Sequence, residues 1–340
     1  MSYMSDINRN HSNRMKTNFI TSKSCYKCEY LGEYRDKNGN PSLYSAFVDK
    51  ENHLSIMRNK NRYSVTVTTR ANKKRVIISC GSQTSLEVFW SILMDILRFE
   101  NLFDGCFFPV VNFLADDIEY TDQIKGDMLS YCESNLHFLS LPIFYSDKEY
   151  RKLFYAWLRY EKKVDIIHPV FLYSTYTNVM TVDLRLAMLL EVFESLAEIE
   201  HSKNSLVLKC NPTITHTAKC PTCGTIVTKT SRNKQLYFSD ILEAIVNKYG
   251  KTIFKGESRK RIINKAVSSR NTIDHVIIGK AQRRKNFREG QYGLYLLKFS
   301  LLYISIVLNE IGVDAVILNE YIEKYTSSLN CRFSEYRITS

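Results

Sequence analysis

Near Ser146 the periodicity of this 340-residue chain changes from two to about 3.6, and no other feature constrains its fold as much. Upstream, from about Cys25 to Ile78, short segments rich in Tyr, Val and Thr are broken by turns such as Lys37-Asn38-Gly39-Asn40-Pro41. β-Branched and aromatic side chains suit a pleated, half-buried surface, so these segments predict strands. Ser64-Val65-Thr66-Val67-Thr68-Thr69 and Arg75-Val76-Ile77-Ile78-Ser79 are the clearest pair. Thr84 to Phe99 carries a helical stripe of Trp90, Ile92, Leu93, Ile96 and Leu97, and β-like segments follow near Phe107 to Phe113 and Leu136 to Phe144. Downstream, helical spacing dominates Lys148 to Lys163, Val182 to His201, Phe238 to Tyr249, Ser258 to about His275, and Gly290 to Ile311. The class is therefore α+β. Residues 1–20 read as a loose tail, 21–145 as a mixed, β-rich α+β domain that senses or regulates, and 146–202 with 233–340 as an all-α bundle. Residues 203–232 read as a small zinc-finger-like insertion.

Composition removes several classes. Hydrophobic residues make up 44% and charged residues 24%, as in ordinary globular chains. The polar, Asn-rich first ~20 residues have no apolar core, so neither a secretory signal nor a membrane anchor is expected. The most apolar run, Phe299 to Leu308, flanked by Lys298 and Glu310, is too short to cross a bilayer and predicts a buried helix in a soluble protein. Nine Cys, an odd number, without an export signal predict reduced thiols in the cytoplasm. Cys80, Cys106, Cys132 and Cys331 lack metal-like spacing.

Charge points to a polyanion. Between Lys255 and Arg288, eleven Lys or Arg residues stand against Glu257 and Asp274, leaving +9 of the chain's formal +12 in one segment. Such a cluster neutralises phosphates and steers nucleic acid to the surface. Arg259, Lys260, Arg261, Lys265, Lys280, Arg283, Arg284 and Lys285 are the candidate RNA-binding residues. Within the segment, Ser268-Ser269-Arg270-Asn271-Thr272-Ile273-Asp274-His275 places Arg270 and Asn271 about one turn before Asp274 and His275. His is the side chain that exchanges protons near neutral pH, and Arg stays charged to hold a phosphate. Arg270, Asn271 and His275 are therefore candidate catalytic residues for RNA cleavage without a metal. The plain alternative is a solvated basic helix with a capping His. Glu191, Glu194, Glu198 and Glu200 read more naturally as the wet side of an amphipathic helix than as part of this face.

Cys210, His216, Cys220 and Cys223 stand as Cys-x5-His-x3-Cys-x2-Cys. Four soft ligands at that spacing suit a closed, structural tetrahedral Zn2+, with Cys220-Pro221-Thr222-Cys223-Gly224 as the knuckle. A loop of free thiols is the bland alternative, and a second pair, Cys25 and Cys28, offers another route to an all-thiolate site with Cys220 and Cys223.

With the Arg270-Asn271-x3-His275 signature set in a helical bundle behind an α+β region, the chain resembles the HEPN ribonucleases, particularly the ApeA-like bacterial anti-phage proteins. The likeness extends to Trp157-x-Arg159-Tyr160-Glu161, to Val182-Asp183-Leu184-Arg185 and its long helix, and to the domain order. The resemblance implies a metal-independent endoribonuclease used in abortive infection, in which two chains pair through the bundle and bring two motifs into one cleft. It implies that Arg270 and His275 are catalytic and that Asn271 positions His275 or the phosphate. It further implies cleavage of a host RNA such as tRNA, released when a phage protein engages the N-terminal domain. Some relatives carry a modifiable Tyr two residues after the His; here that position is Ile277. A non-catalytic RNA-binding or scaffold protein with a zinc loop is the competing expectation. A DNA-binding regulator has no recognition-helix signature in its favour.

Overall fold

The alternating segments of the N-terminal half pair as an antiparallel sheet in a computed structural model, which describes residues 23–31, 50–70, 73–104, 110–116, 118–119, 146–176, 180–203, 206–208, 213–219, 221–232, 237–274 and 285–339. The chain divides into two compact units, Met1–Arg159 and Tyr160–Ser340.

In the first unit the strands are β1 (Lys23–Leu31), β2 (Lys50–Arg58), β3 (Asn61–Arg70), β4 (Lys73–Thr84), β5 (Val110–Ala115) and β6 (Ile118–Glu119), in the order β2-β3-β4-β1-β5-β6. Val65 lies opposite Ile78 and Val67 opposite Val76, so the clearest pair of sequence strands is a real pair. Asn59 and Lys60 connect β2 to β3 with φ of 48° and 66°, the left-handed backbone of a two-residue hairpin turn. Period-two alternation buries Leu54, Ile56, Tyr63, Val65, Val67, Val76, Ile78 and Phe113. Helix α1 (Leu86–Asp104) adds Phe89, Ile92, Leu93, Ile96 and Phe99 to this core, with the Phe89 and Phe113 rings 5.2 Å apart.

Helix α2 (Asp147–Glu161) starts at a capping box, in which the Ser146 backbone NH donates to Glu149 Oε2 (2.9 Å) and the Glu149 NH to Ser146 Oγ (3.3 Å). It packs through Phe154 on Phe99, and Trp157 Nε1 donates to the Asp95 carbonyl (3.2 Å). It also guards the open edge of β2. The Ser55 NH donates to Tyr155 OH (3.1 Å), Tyr155 OH donates to the Ser55 carbonyl (2.8 Å), and the His53 NH donates to Asp147 Oδ1 (2.8 Å). The change of sequence character at Ser146 therefore marks the start of this helix, while the unit boundary falls near its end. The segment Leu136 to Phe144 lies outside the described residues.

The second unit is mostly helical: α3 (Ile167–Tyr176), α4 (Val182–Ser202), α5 (Phe238–Tyr249), α6 (Arg259–Asp274), α7 (Gln291–Glu310) and α8 (Ala315–Arg332), closed by a 3-10 turn at Ser334–Tyr336. Helix α7 is the hub, packing against α3, α4, α5 and α8. Its full 20 residues are long and apolar enough to cross a membrane by composition, but 83% of the apolar window is buried inside the unit. It is a core helix, longer than the run Phe299 to Leu308 suggests. Sequence 203–232, expected as a small zinc-finger-like insertion, holds an antiparallel hairpin, β7 (Thr213–Lys219) and β8 (Ile226–Arg232).

Candidate functional site

Helix α6 carries the site. Its apolar residues Ile262, Ile263 and Ala266 are buried, which fixes its rotation and leaves Arg261, Asn264, Lys265, Ser268 and Asn271 along another face. Those residues, with Ser239, Val267 and Lys285, line a cleft of about 500 Å³. Among the described residues, three cations and two side-chain amides line it, and no carboxylate does. Lys265 is half-buried, and its pKa is lowered first by that burial and then by the neighbouring Arg288 and Arg261 charges.

The chain that follows the motif is strapped back onto the same helix. Ser268 Oγ and Thr272 Oγ1 donate to Asn286 Oδ1 (2.8 and 3.2 Å), Lys265 Nζ donates to the Asn286 carbonyl (2.5 Å), and the Phe287 NH donates to Ser269 Oγ (3.0 Å). These bonds hold Lys285 at the cleft. Ser268, Ser269 and Thr272, which surround the Arg-Asn pair in sequence, are therefore anchors. Sequence reasoning did not find Asn286, whose only signal is that it follows a basic run.

Arg270 points elsewhere. Its Nε donates to Glu191 Oε1, and its Nη2 donates to Glu191 Oε2 (2.7 Å) and Glu194 Oε2 (2.9 Å), while the guanidinium lies 4.3 Å from the centre of the Phe238 ring. The arginine side chain is 16% exposed and each glutamate 43%. Two of the four glutamates assigned to a wet helix face thus meet the motif. A third, Glu200, is buried and accepts from Tyr249 OH (3.0 Å) and Lys203 Nζ (3.0 Å); only Glu198 is exposed as expected. Periodicity missed this because α4 is buried on more than one side by α3, α5, α6 and α7.

Asn271 lines the cleft, so the adjacent Arg270 and Asn271 serve different surroundings, about 100° apart on the helix. Helix α6 is described as far as Asp274, and His275 lies outside the described residues, as do Lys280, Arg283 and Arg284. Of the other basic residues, Lys260 and Lys285 are exposed, Arg259 donates to Asn247 Oδ1 (3.2 Å), and Arg261 donates to the Thr339 carbonyl (3.0 Å).

Of the inserted ligand set, Cys223 and the backbone of His216 are among the described residues. Cys210 and Cys220 lie outside the described residues; Cys223 is exposed in the β7–β8 turn, and Gly224 directly after it has φ of 71°, as a thiolate knuckle requires. His216, however, is a strand residue opposite Lys229, three positions before the end of β7. At ~3.3 Å per residue that is roughly 10 Å of paired strand. Where a metal would sit relative to His216 depends on Cys210 and Cys220, which lie outside the described residues. Cys25 and Cys28 are likewise three positions apart on continuous β1, opposite Ser79 and Val76, with no turn between them to close a knuckle. Among the described residues no cluster of His, Cys, Asp or Glu is placed to hold a metal. Comparison of the chain with family models, with curated proteins and with solved structures finds no match.

Proposed function

We propose that the chain is a metal-independent endoribonuclease of the HEPN kind that acts in the cytoplasm in anti-phage defence. The supporting observation is the cleft on α6, where among the described residues three cations without a lining carboxylate adjoin Asn271, with His275 four positions on in sequence. In this reading Arg261, Lys265 and Lys285 hold RNA phosphates, and Asn271 orients the scissile group. His275 mediates proton transfer as the ribose 2′-oxygen attacks the adjacent phosphorus and the bond to the 5′-oxygen breaks. The proton passes from the 2′-hydroxyl to the leaving 5′-oxygen, leaving a 2′,3′-cyclic phosphate and a 5′-hydroxyl. Arg270 contributes charge stabilisation once phosphate replaces Glu191 and Glu194 on its guanidinium. Two chains pair through the helical unit, and a phage product acting on the N-terminal unit releases activity toward a host RNA such as tRNA.

The engagement of Arg270 by two carboxylates favours a second reading, a non-catalytic RNA-binding or scaffold protein. Incubating purified protein with RNA in EDTA separates the two. The nuclease reading expects cyclic-phosphate ends, with His275→Ala and Arg270→Ala each losing about 100-fold or more in rate while remaining folded. Cleavage by His275→Ala at the wild-type rate overturns the catalytic assignment, and RNA binding without cleavage by the triggered wild type establishes the second reading.

A further inference from the structure

The cleft has a size, a charge and a pair of amides that together specify more than phosphate attraction. About 500 Å³ lies within the range of small-ligand pockets and suits one nucleotide, whereas a duplex presents its bases only as groove edges. Arg261 and Lys285 are exposed and Lys265 is half-buried, so the cations run from the surface into the wall. Asn264 and Asn271 are seven residues apart, two turns of α6 or ~10.5 Å along its axis, on the face that carries Lys265 and Ser268 between them. Among the described residues neither amide carries a hydrogen bond, in contrast to Asn286 and Asn247 nearby. An amide side chain offers two donors and an acceptor, the pattern needed to read the edge of an unstacked base. The wall is also fixed in advance by the bonds from Ser268, Thr272 and Lys265 to Asn286, so little ordering is left for a ligand to induce.

We infer that this cleft is a base-reading subsite for one unpaired RNA nucleotide, with Arg261, Lys265 and Lys285 on its phosphates and Asn264 on its base edge, next to the scissile group that Asn271 orients. The inference rests on the proposed RNA-directed reading and adds strand state and base preference to it. Lys265 fits the role because an anion at the cleft offsets both the burial and the Arg288 and Arg261 charges that depress its pKa.

The test uses the full chain and fluorescent 2′-O-methyl RNA 10-mers of each base, which 2′-hydroxyl attack cannot cleave, with anisotropy read across a salt series. Single strands are expected to bind at least ~10-fold more tightly than the matching duplex, with a preference of ~3-fold or more among bases. Lys285→Ala is expected to weaken every sequence alike and to reduce the salt slope by about 0.7, and Lys285→Arg to restore it. Asn264→Ala, at an exposed position, is expected to flatten the base preference and leave the slope unchanged. Equal binding of duplex and single strand, or an unaltered preference in Asn264→Ala, overturns the subsite. Binding of inorganic phosphate by a chain that binds none of the RNAs also overturns it, in favour of a small-phosphate site. Failure of the nuclease reading is distinct: base-selective binding would persist while unmodified RNA stayed intact.

Discussion

Glu257 and Lys298 form an ion pair with neither side chain exposed. The carboxylate also accepts from Tyr295 OH (2.9 Å) and Arg337 Nε (3.1 Å), and Lys298 Nζ donates to Asn330 Oδ1 (2.7 Å), so both charges are satisfied several times over. Burial lowers the Lys298 pKa although Glu257 pulls it upward. In the sequence Lys298 looks like the charged edge of an apolar run, because nothing in Leu296-Leu297-Lys298-Phe299 shows that Glu257 is folded against it. Truncating one partner strands the other charge in the core. Lys298→Ala is therefore expected to lower stability by about 3–5 kcal/mol, read as a fall in the urea midpoint of the helical unit, with Glu257→Gln moving in the same direction. A change of less than about 1 kcal/mol in both would show that the pair is relieved by solvent. Arg270 teaches the same lesson at the candidate site: the residue was legible from spacing and charge, but its carboxylate partners, 76 and 79 positions away, were not.

Helices with strong apolar spacing were read from the sequence, and two others were not. Helix α1 and helices α4 to α7 lie close to the positions that apolar spacing predicts. Helix α3 was missed: Ile167-His168-Pro169-Val170-Phe171-Leu172 is apolar without a wet face, and seven of its ten residues are buried, so it has no period to detect. Pro169 sits in the first turn, where a missing NH costs nothing. Helix α8 was missed for the opposite reason, having only four buried residues, and it begins at Asp314, whose side chain accepts from the NH groups of Val316 (2.9 Å) and Ile317 (3.0 Å). The β7–β8 hairpin and the residues just before it carry the candidate metal ligands. We propose a structural zinc held by Cys210, His216, Cys220 and Cys223, supplying no chemistry. Cys220→Ser with Cys223→Ser is expected to remove zinc from freshly prepared, reduced protein, and His216→Ala to lower its occupancy. Fewer than about 0.2 zinc per wild-type chain would end the proposal.

At the scale of the whole molecule, one chain carries one Arg270-Asn271-His275 set, so the composite cleft of the proposed nuclease needs a second copy. The apolar α7 does not supply the contact face, since it is spent on the core of its own unit. Light scattering is expected to show a two-fold dimer, and an active, strictly monomeric protein would exclude the composite cleft. By itself the sequence determined the α+β class, the positions of the helices with strong apolar spacing, the central strand pair, and the concentration of positive charge around Arg270. These are local properties, written in the spacing of apolar residues and in net charge, and they survive without knowledge of neighbours. Only the tertiary structure decided that Arg270 faces Glu191 and Glu194, that Asn271 lines a cleft with Arg261, Lys265 and Lys285, that His216 is a strand residue, and that Lys298 is buried. Each depends on which distant segments the packing of α4, α6, α7 and the Asn286 strap brings within bonding distance, and a one-dimensional pattern does not encode that proximity.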